Sequence, residues 1–146
     1  MICIDETWIG ETDFRRRKWR QSGTTNSLAE RTVSPRISMI TAIDTDGHIY
    51  NSMTQVNTDS DVFMLFLAKL TNKLYTEDSS YKQNCILLLD GAAYHRSDEV
   101  RKFLCQIGVQ IILAGPYGYD SMVCELFFSA LKRVNLNPTF DKTSKM

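Results

Sequence analysis

The dipeptide Asp46-Gly47 lies between two strand-like runs, Arg36 to Asp44 and His48 to Met53. Asp-Gly flanked by such runs is a strong hairpin signal, so this part of the chain predicts an antiparallel pair. Further on, Cys85-Ile86-Leu87-Leu88-Leu89 is a short apolar run that stops on Asp90-Gly91, which marks a buried strand. Ser97-Asp98-Glu99 then opens a helix with Val100, Phe103, Leu104 and Ile107 at helical spacing and Gly108 as its stop. A second apolar strand, Val109 to Leu113, passes through a turn at Gly115-Pro116 into a last helix that carries Glu125 near its start. Strand, helix, strand calls for parallel pairing. A chain holding both patterns is expected to fold as an α/β mixed sheet flanked by helices, and an all-parallel receiver-type domain, which has no place for the hairpin, fits poorly.

The remaining segments fit that plan. Ile2 to Ile9 is a β-rich run, apolar on both faces, as expected of a strand in the middle of a sheet. With the hairpin it forms an antiparallel meander. Asn57-Thr58-Asp59-Ser60 supplies caps for a helix in which Phe63, Phe66, Leu67, Leu70 and Leu74 share one face. Gln21 to Pro35 and Thr76 to Asn84 read as polar loops. The expected division is a core over residues 1–134 and a polar tail over 135–146.

At 146 residues, with 43% hydrophobic and 23% charged, the composition is globular and suits one core. Nothing approaches the ~18 apolar residues of a membrane span, and Asp5-Glu6 does not suit a signal peptide, so the chain reads as soluble. Cys3, Cys85, Cys105 and Cys124 show no C-x-x-C pair and no zinc spacing, and read as small buried apolar residues. Seventeen basic and seventeen acidic residues cancel, so strong nucleic-acid binding needs a local patch. The one concentrated basic run is Arg15-Arg16-Arg17-Lys18-Trp19-Arg20. It suits a solvated face as well as a phosphate-gripping edge, and Trp19 suits packing more than base stacking.

Thirty-four residues separate Asp90 from Glu125. The segments Asp90-Gly91-Ala92-Ala93-Tyr94-His95 and Pro116-Tyr117-Gly118-Tyr119-Asp120-Ser121-Met122-Val123-Cys124-Glu125 resemble, without a gap, the Asp-Asn-Ala-x-x-His and Pro-Tyr-Ser-Pro-Asp-Leu-Asn-Pro-x-Glu segments of the mariner-type DDE transposases. Gly91 replaces the usual Asn, and the turn departs at Gly118, Tyr119, Ser121, Met122 and Val123. Upstream, Ile4-Asp5-Glu6-Thr7-Trp8, Trp19-Arg20-x-x-Gly23 and Ser38 to Gly47 extend the resemblance over nearly the whole chain.

The resemblance implies a ribonuclease-H-like fold and a transposase core that cleaves and joins transposon DNA ends. Asp5, Asp90 and Glu125 are the implied catalytic residues and ligands of two Mg2+ or Mn2+ ions. Clustered carboxylates repel one another unless a hard cation neutralises them, and two such ions about 4 Å apart serve an in-line phosphoryl displacement. Arg15, Arg16, Arg17, Lys18 and Arg20 are the expected DNA contacts. His95, Tyr117 and Asp120 are expected behind the ligands, His95 as an orienting or a structural residue. The implied partners are DNA and, at full length, a second copy in a homodimer. The implied location is the nucleus of a eukaryote, otherwise the cytoplasm. Family members carry helix-turn-helix modules ahead of this core, and with Asp5 so near the start such a half is expected to be missing. The rival reading is a domesticated or decayed copy acting as a non-catalytic DNA-binding or assembly module. Periodicity alone makes Glu125 a solvated first-turn acid, opposite a stripe of Val123, Leu126, Phe127, Ala130, Leu131 and Val134. Glu6, turned to the other face by strand alternation, is not counted as a ligand.

Overall fold

The computed structural model describes residues 1–10, 37–115, 118 and 122–133. Five strands form one sheet of order β3-β2-β1-β4-β5: β1 Ile2–Ile9, β2 Ile37–Asp44, β3 Ile49–Thr54, β4 Ile86–Leu89 and β5 Gln110–Leu113. β1 pairs antiparallel with β2 and parallel with β4, and β4 pairs parallel with β5. The sheet is mixed, and its change of direction falls at β1.

The central place of β1 explains its composition. Ile2 and Ile4 face one layer and Cys3 and Ile9 the other, and all four are buried. β3, an edge strand, alternates between exposed and partly buried residues. The β2–β3 hairpin turns at Thr45 to Gly47, where Gly47 takes φ 87° and the Asp44 carboxylate accepts the amides of Asp46 and His48.

One face of the sheet carries α1, Ser60–Glu77, and α3, Asp98–Ile107. Asp59 caps α1, its Oδ1 accepting from the Val62 amide at 2.9 Å, and Ser97 caps α3 by accepting from Val100 at 3.3 Å. Phe63, Phe66, Leu67, Leu70, Val100 and Leu104 close the core with Ile2, Ile4, Ile40, Leu87 and Leu89. Gly108 ends α3 in the left-handed region at φ 72°. The opposite face carries α4, Val123–Arg133, packed on Cys3, Ile9, Met39 and Ile43.

Three expectations need correction, and one short element, a 3-10 turn, is added. Part of the segment from Thr76 to Asn84 is helical: α1 runs to Glu77, and a single turn, α2, spans Tyr81–Asn84 around buried Tyr81. Cys105 lies on the outer side of α3 and is exposed, unlike the other three cysteines. A 3-10 turn, Tyr94–Arg96, interrupts the stretch between β4 and α3. On α4, Cys124 and Phe128 are buried with Phe127 and Leu131 beside them, whereas Val123 and Ala130 are exposed and Leu126 is 71% exposed. No helix among the described residues is long and apolar enough to cross a membrane.

Candidate active site

The pairing of β1 with β4 sets Ile4 beside Leu89, so the next residues, Asp5 and Asp90, stand level where β4 ends. Asp5 shares the α4 side of β1 with Cys3 and is only 6% exposed. Its Oδ1 accepts the Glu6 amide at 2.8 Å. Burial pushes its carboxyl from 3.8 up to about 7; the amide opposes the rise, and the like charges of Glu6, Glu125 and Asp90 add to it. Across the β1–β2 pair Asp5 faces Thr41, whose hydroxyl is buried and has no hydrogen-bond partner among the described residues.

Asp90 is held differently. Its Oδ1 accepts the Ala92 amide at 2.9 Å and lies 2.7 Å from His95 Nδ1. The His95 hydrogen bond, with the Ala92 amide and the charges of His95 and Arg96, holds this carboxyl below its usual value against the effect of burial. His95 is 2% exposed in the 3-10 turn, its ring 4.3 Å from that of Phe63 and 4.4 Å from that of Tyr94. Its other nitrogen, Nε2, lies 3.1 Å from Glu6 Oε1. Burial lowers the imidazole's affinity for its proton, but hydrogen bonds to Asp90 and Glu6 more than offset this and raise it to about 9. Each ring nitrogen thus donates to a carboxylate, and the ring is a buried cation between two acids.

Glu125 sits in the first turn of α4. The Cys124 thiol donates to the Cys3 carbonyl at 3.3 Å, which seats this turn on β1 two residues before Asp5. The buried side of α4 runs through Cys124, Phe127, Phe128 and Leu131, so at about 100° per residue Glu125 lies on its flank, about 110° from its centre, and not opposite it. Glu125 is exposed, yet its charge acts on Asp5. Counting apolar letters misplaced the face because Val123, Leu126 and Ala130 look outward, and Cys124, a small thiol, carries the packing.

Glu6 is on the side of β1 opposite Asp5, as strand alternation requires. Its link to Asp90 was missed because the bridge is made by His95, 89 residues away. The one sequence signal for it is the Asp5-Glu6 adjacency, because Gly91, Ala93 and Arg96 near His95 are exposed and do not announce a buried imidazole. Arg15, Arg16, Arg17, Lys18, Trp19 and Arg20, the loop from Gln21 to Pro35, Tyr117 and Asp120, Val134 and the tail 135–146 lie outside the described residues.

Ligand-type atoms of Glu6, Asp90 and His95 also lie within 4.8 Å of one another. The two carboxylates, however, meet opposite nitrogens of one ring, and both nitrogens are committed to hydrogen bonds. Asp5, Asp90 and Glu125 do not form a group of ligand atoms within 4.8 Å of one another, although an all-oxygen donor set is the kind a hard divalent cation takes.

A five-stranded mixed sheet flanked by helices, with Asp5 in the middle of β1 level with Asp90 just past the end of β4, defines a ribonuclease-H-like domain. Residues 1–146 match the DDE superfamily endonucleases throughout, and the chain belongs to that family. No curated protein matches it significantly. Among solved structures it is similar to the pre-cleavage Mos1 transpososome, with TM-score 0.67, 18% identity, and coverage of 94% of this chain and 44% of that one. It is also similar to the catalytic domain of Mos1 mariner transposase, with TM-score 0.65, 17% identity, and coverage of 94% and 63%. The mariner Mos1 paired end complex with Mg superposes with TM-score 0.68 at 18% identity, covering 94% and 44%. The chain thus spans less than two thirds of these proteins. A Mos1 paired end complex with Mn is a further match.

Proposed function

We propose that this chain is the catalytic core of a mariner-type DNA transposase, in which Asp5, Asp90 and Glu125 hold two Mg2+ or Mn2+ ions for cleaving and joining DNA ends. The observation that carries the proposal is the placement of Asp5, buried on β1, level with Asp90 where β4 ends, with the first turn of α4 that bears Glu125 seated on β1 two residues before Asp5. When bound, the ions supply charge neutralisation and activation of a water or 3′-hydroxyl for in-line displacement at phosphorus. The chain's own residues prepare for this. Asp5, its carboxyl raised to about 7, would lose its proton to solvent when a cation takes the proton's place, while His95 and the Ala92 amide keep Asp90 ionised. Arg15, Arg16, Arg17, Lys18 and Arg20 are proposed to grip DNA phosphates, Tyr117 and Asp120 to aim α4, and the full-length protein to act as a homodimer on DNA in the nucleus of a eukaryote, otherwise in the cytoplasm.

The test is the melting temperature of the chain in millimolar Mn2+ and in chelator, together with Mn2+-dependent nicking of duplex DNA. Wild type is expected to be stabilised by mass action. Asp5→Asn, Asp90→Asn and Glu125→Gln are expected to lose most of that gain and all nicking. A gain of equal size in Glu125→Gln removes Glu125 from the site. Metal binding without nicking, even in a longer chain with a DNA-binding region, favours a non-catalytic assembly or DNA-binding module, a reading to which the divergent turn from Gly118 to Val123 lends support.

A further inference from the structure

We infer that Glu6, acting through His95, is a positioning residue that fixes the Asp90 carboxylate so that Oδ1 is engaged by the protein and Oδ2 alone is offered to the site. The inference rests on the reading of Asp90 as a cation ligand. It adds a residue from the opposite face of the sheet and states which oxygen serves.

Asp90 Oδ1 takes two donors, the Ala92 amide at 2.9 Å and His95 Nδ1 at 2.7 Å, and two donors occupy the lone pairs of one carboxylate oxygen. Among the described residues no donor reaches Oδ2. The orientation of Asp90 therefore depends on where the imidazole stands, and three contacts fix the ring. Phe63 lies against it at 4.3 Å, Tyr94 meets it edge-on at 4.4 Å, and Glu6 Oε1 receives Nε2 at 3.1 Å. The aromatic contacts set the plane of the ring. Glu6 holds that orientation, from outside the Asp90 segment, against the one with the nitrogens exchanged for carbons: a flipped ring would take the imidazole donor away from the Glu6 carboxylate, whose side chain is 10% exposed, as well as from Asp90 Oδ1. His95 Nδ1 also lies 3.3 Å from the Asp90 carbonyl, which ties the ring to the backbone of the residue it orients.

Partners that orient a metal's ligands commonly alter metal affinity by about 10- to 100-fold when removed. The experiment measures Mn2+ affinity of the chain by electron paramagnetic resonance, with melting temperature in chelator as a separate readout. Glu6→Leu and His95→Leu are expected to weaken Mn2+ about 10-fold or more. Two conservative replacements are expected to stay within a few-fold of wild type. Glu6→Gln keeps an acceptor for Nε2, and His95→Asn puts an amide donor where Nδ1 stood. Leu104→Ala, a buried residue of α3 outside this network, is expected to lower the melting temperature and leave Mn2+ affinity unchanged. Wild-type affinity in Glu6→Leu, or equal weakening in Glu6→Leu and Leu104→Ala, overturns the inference while Asp90→Asn, if it loses Mn2+, upholds Asp90 as a ligand. Wild-type affinity in Asp90→Asn overturns both. Should His95→Leu fail to fold, the contrast between Glu6→Leu and Glu6→Gln decides alone.

Discussion

Replacing Asp5 by Asn is expected to stabilise the metal-free chain, and only on the alkaline side. The Asp5 carboxyl is raised from 3.8 to about 7 in the folded state. A raised acid means that the native state binds the proton more tightly than the unfolded chain. Stability is therefore full below about pH 4, declines as pH rises to about 7, and is flat above. A shift of about three pH units at about 1.4 kcal/mol each amounts to roughly 4 kcal/mol lost across that window. Asn has the shape of the protonated acid, its Oδ1 still accepts the Glu6 amide, and it cannot ionise. The assay is urea unfolding of both proteins in chelator at about pH 4.5 and about pH 8. The difference between them cancels the titrating groups that do not interact with Asp5. Asp5→Asn is expected to lie within about 1 kcal/mol of wild type at the lower pH and to exceed it by roughly 2 to 4 kcal/mol at the higher. Equal stability at both pH values, or a loss at pH 8, refutes the account of Asp5 as a strained carboxyl awaiting a cation.

Two further substitutions test the frame around the site. Phe63→Ala empties a fully buried position against His95 and Tyr94 and is expected to cost about 3 to 5 kcal/mol by urea unfolding; a cost under about 1 kcal/mol would mean that the ring is not the platform described. Gly108→Ala meets no neighbour within 4 Å, so its expected cost of about 1 to 2 kcal/mol comes from the left-handed backbone alone, and a neutral result by the same assay would show that α3 can end differently.

Much of this architecture is written in local signals. Asp46-Gly47, Asp59, Ser97 and Gly108 each act within a few residues of themselves, and each does in the fold what its chemistry dictates. The parallel placement of β1 beside β4 follows from the mixed pattern, which brings Asp5 level with Asp90. What was hidden depends on non-local packing or on elements too short for periodicity to register. The single turn at Tyr81 and the 3-10 turn at Tyr94 span four and three residues, less than two helical periods. The buried side of α4 is chosen by what β1 and β2 present to it, so Cys124 goes in and Leu126 stays out. Glu6 is right by alternation and still part of the network, because His95 reaches it from the segment after β4.

The position of β1 governs the order in which this chain assembles. Its antiparallel partner β2 ends 35 residues further on, at Asp44, whereas its parallel partner begins at Ile86. A growing chain can close the three-stranded meander early, but one edge of β1, carrying Ile2 to Ile4, stays unpaired until β4 has been made. Contacts of such long sequence separation form slowly, and an open apolar edge invites pairing with other chains. The same event that covers this edge brings Asp90 to Asp5 and His95 to Glu6. The juxtaposition of Asp5 with Asp90 is therefore born together with the parallel half of the sheet, and a partly folded chain lacks it.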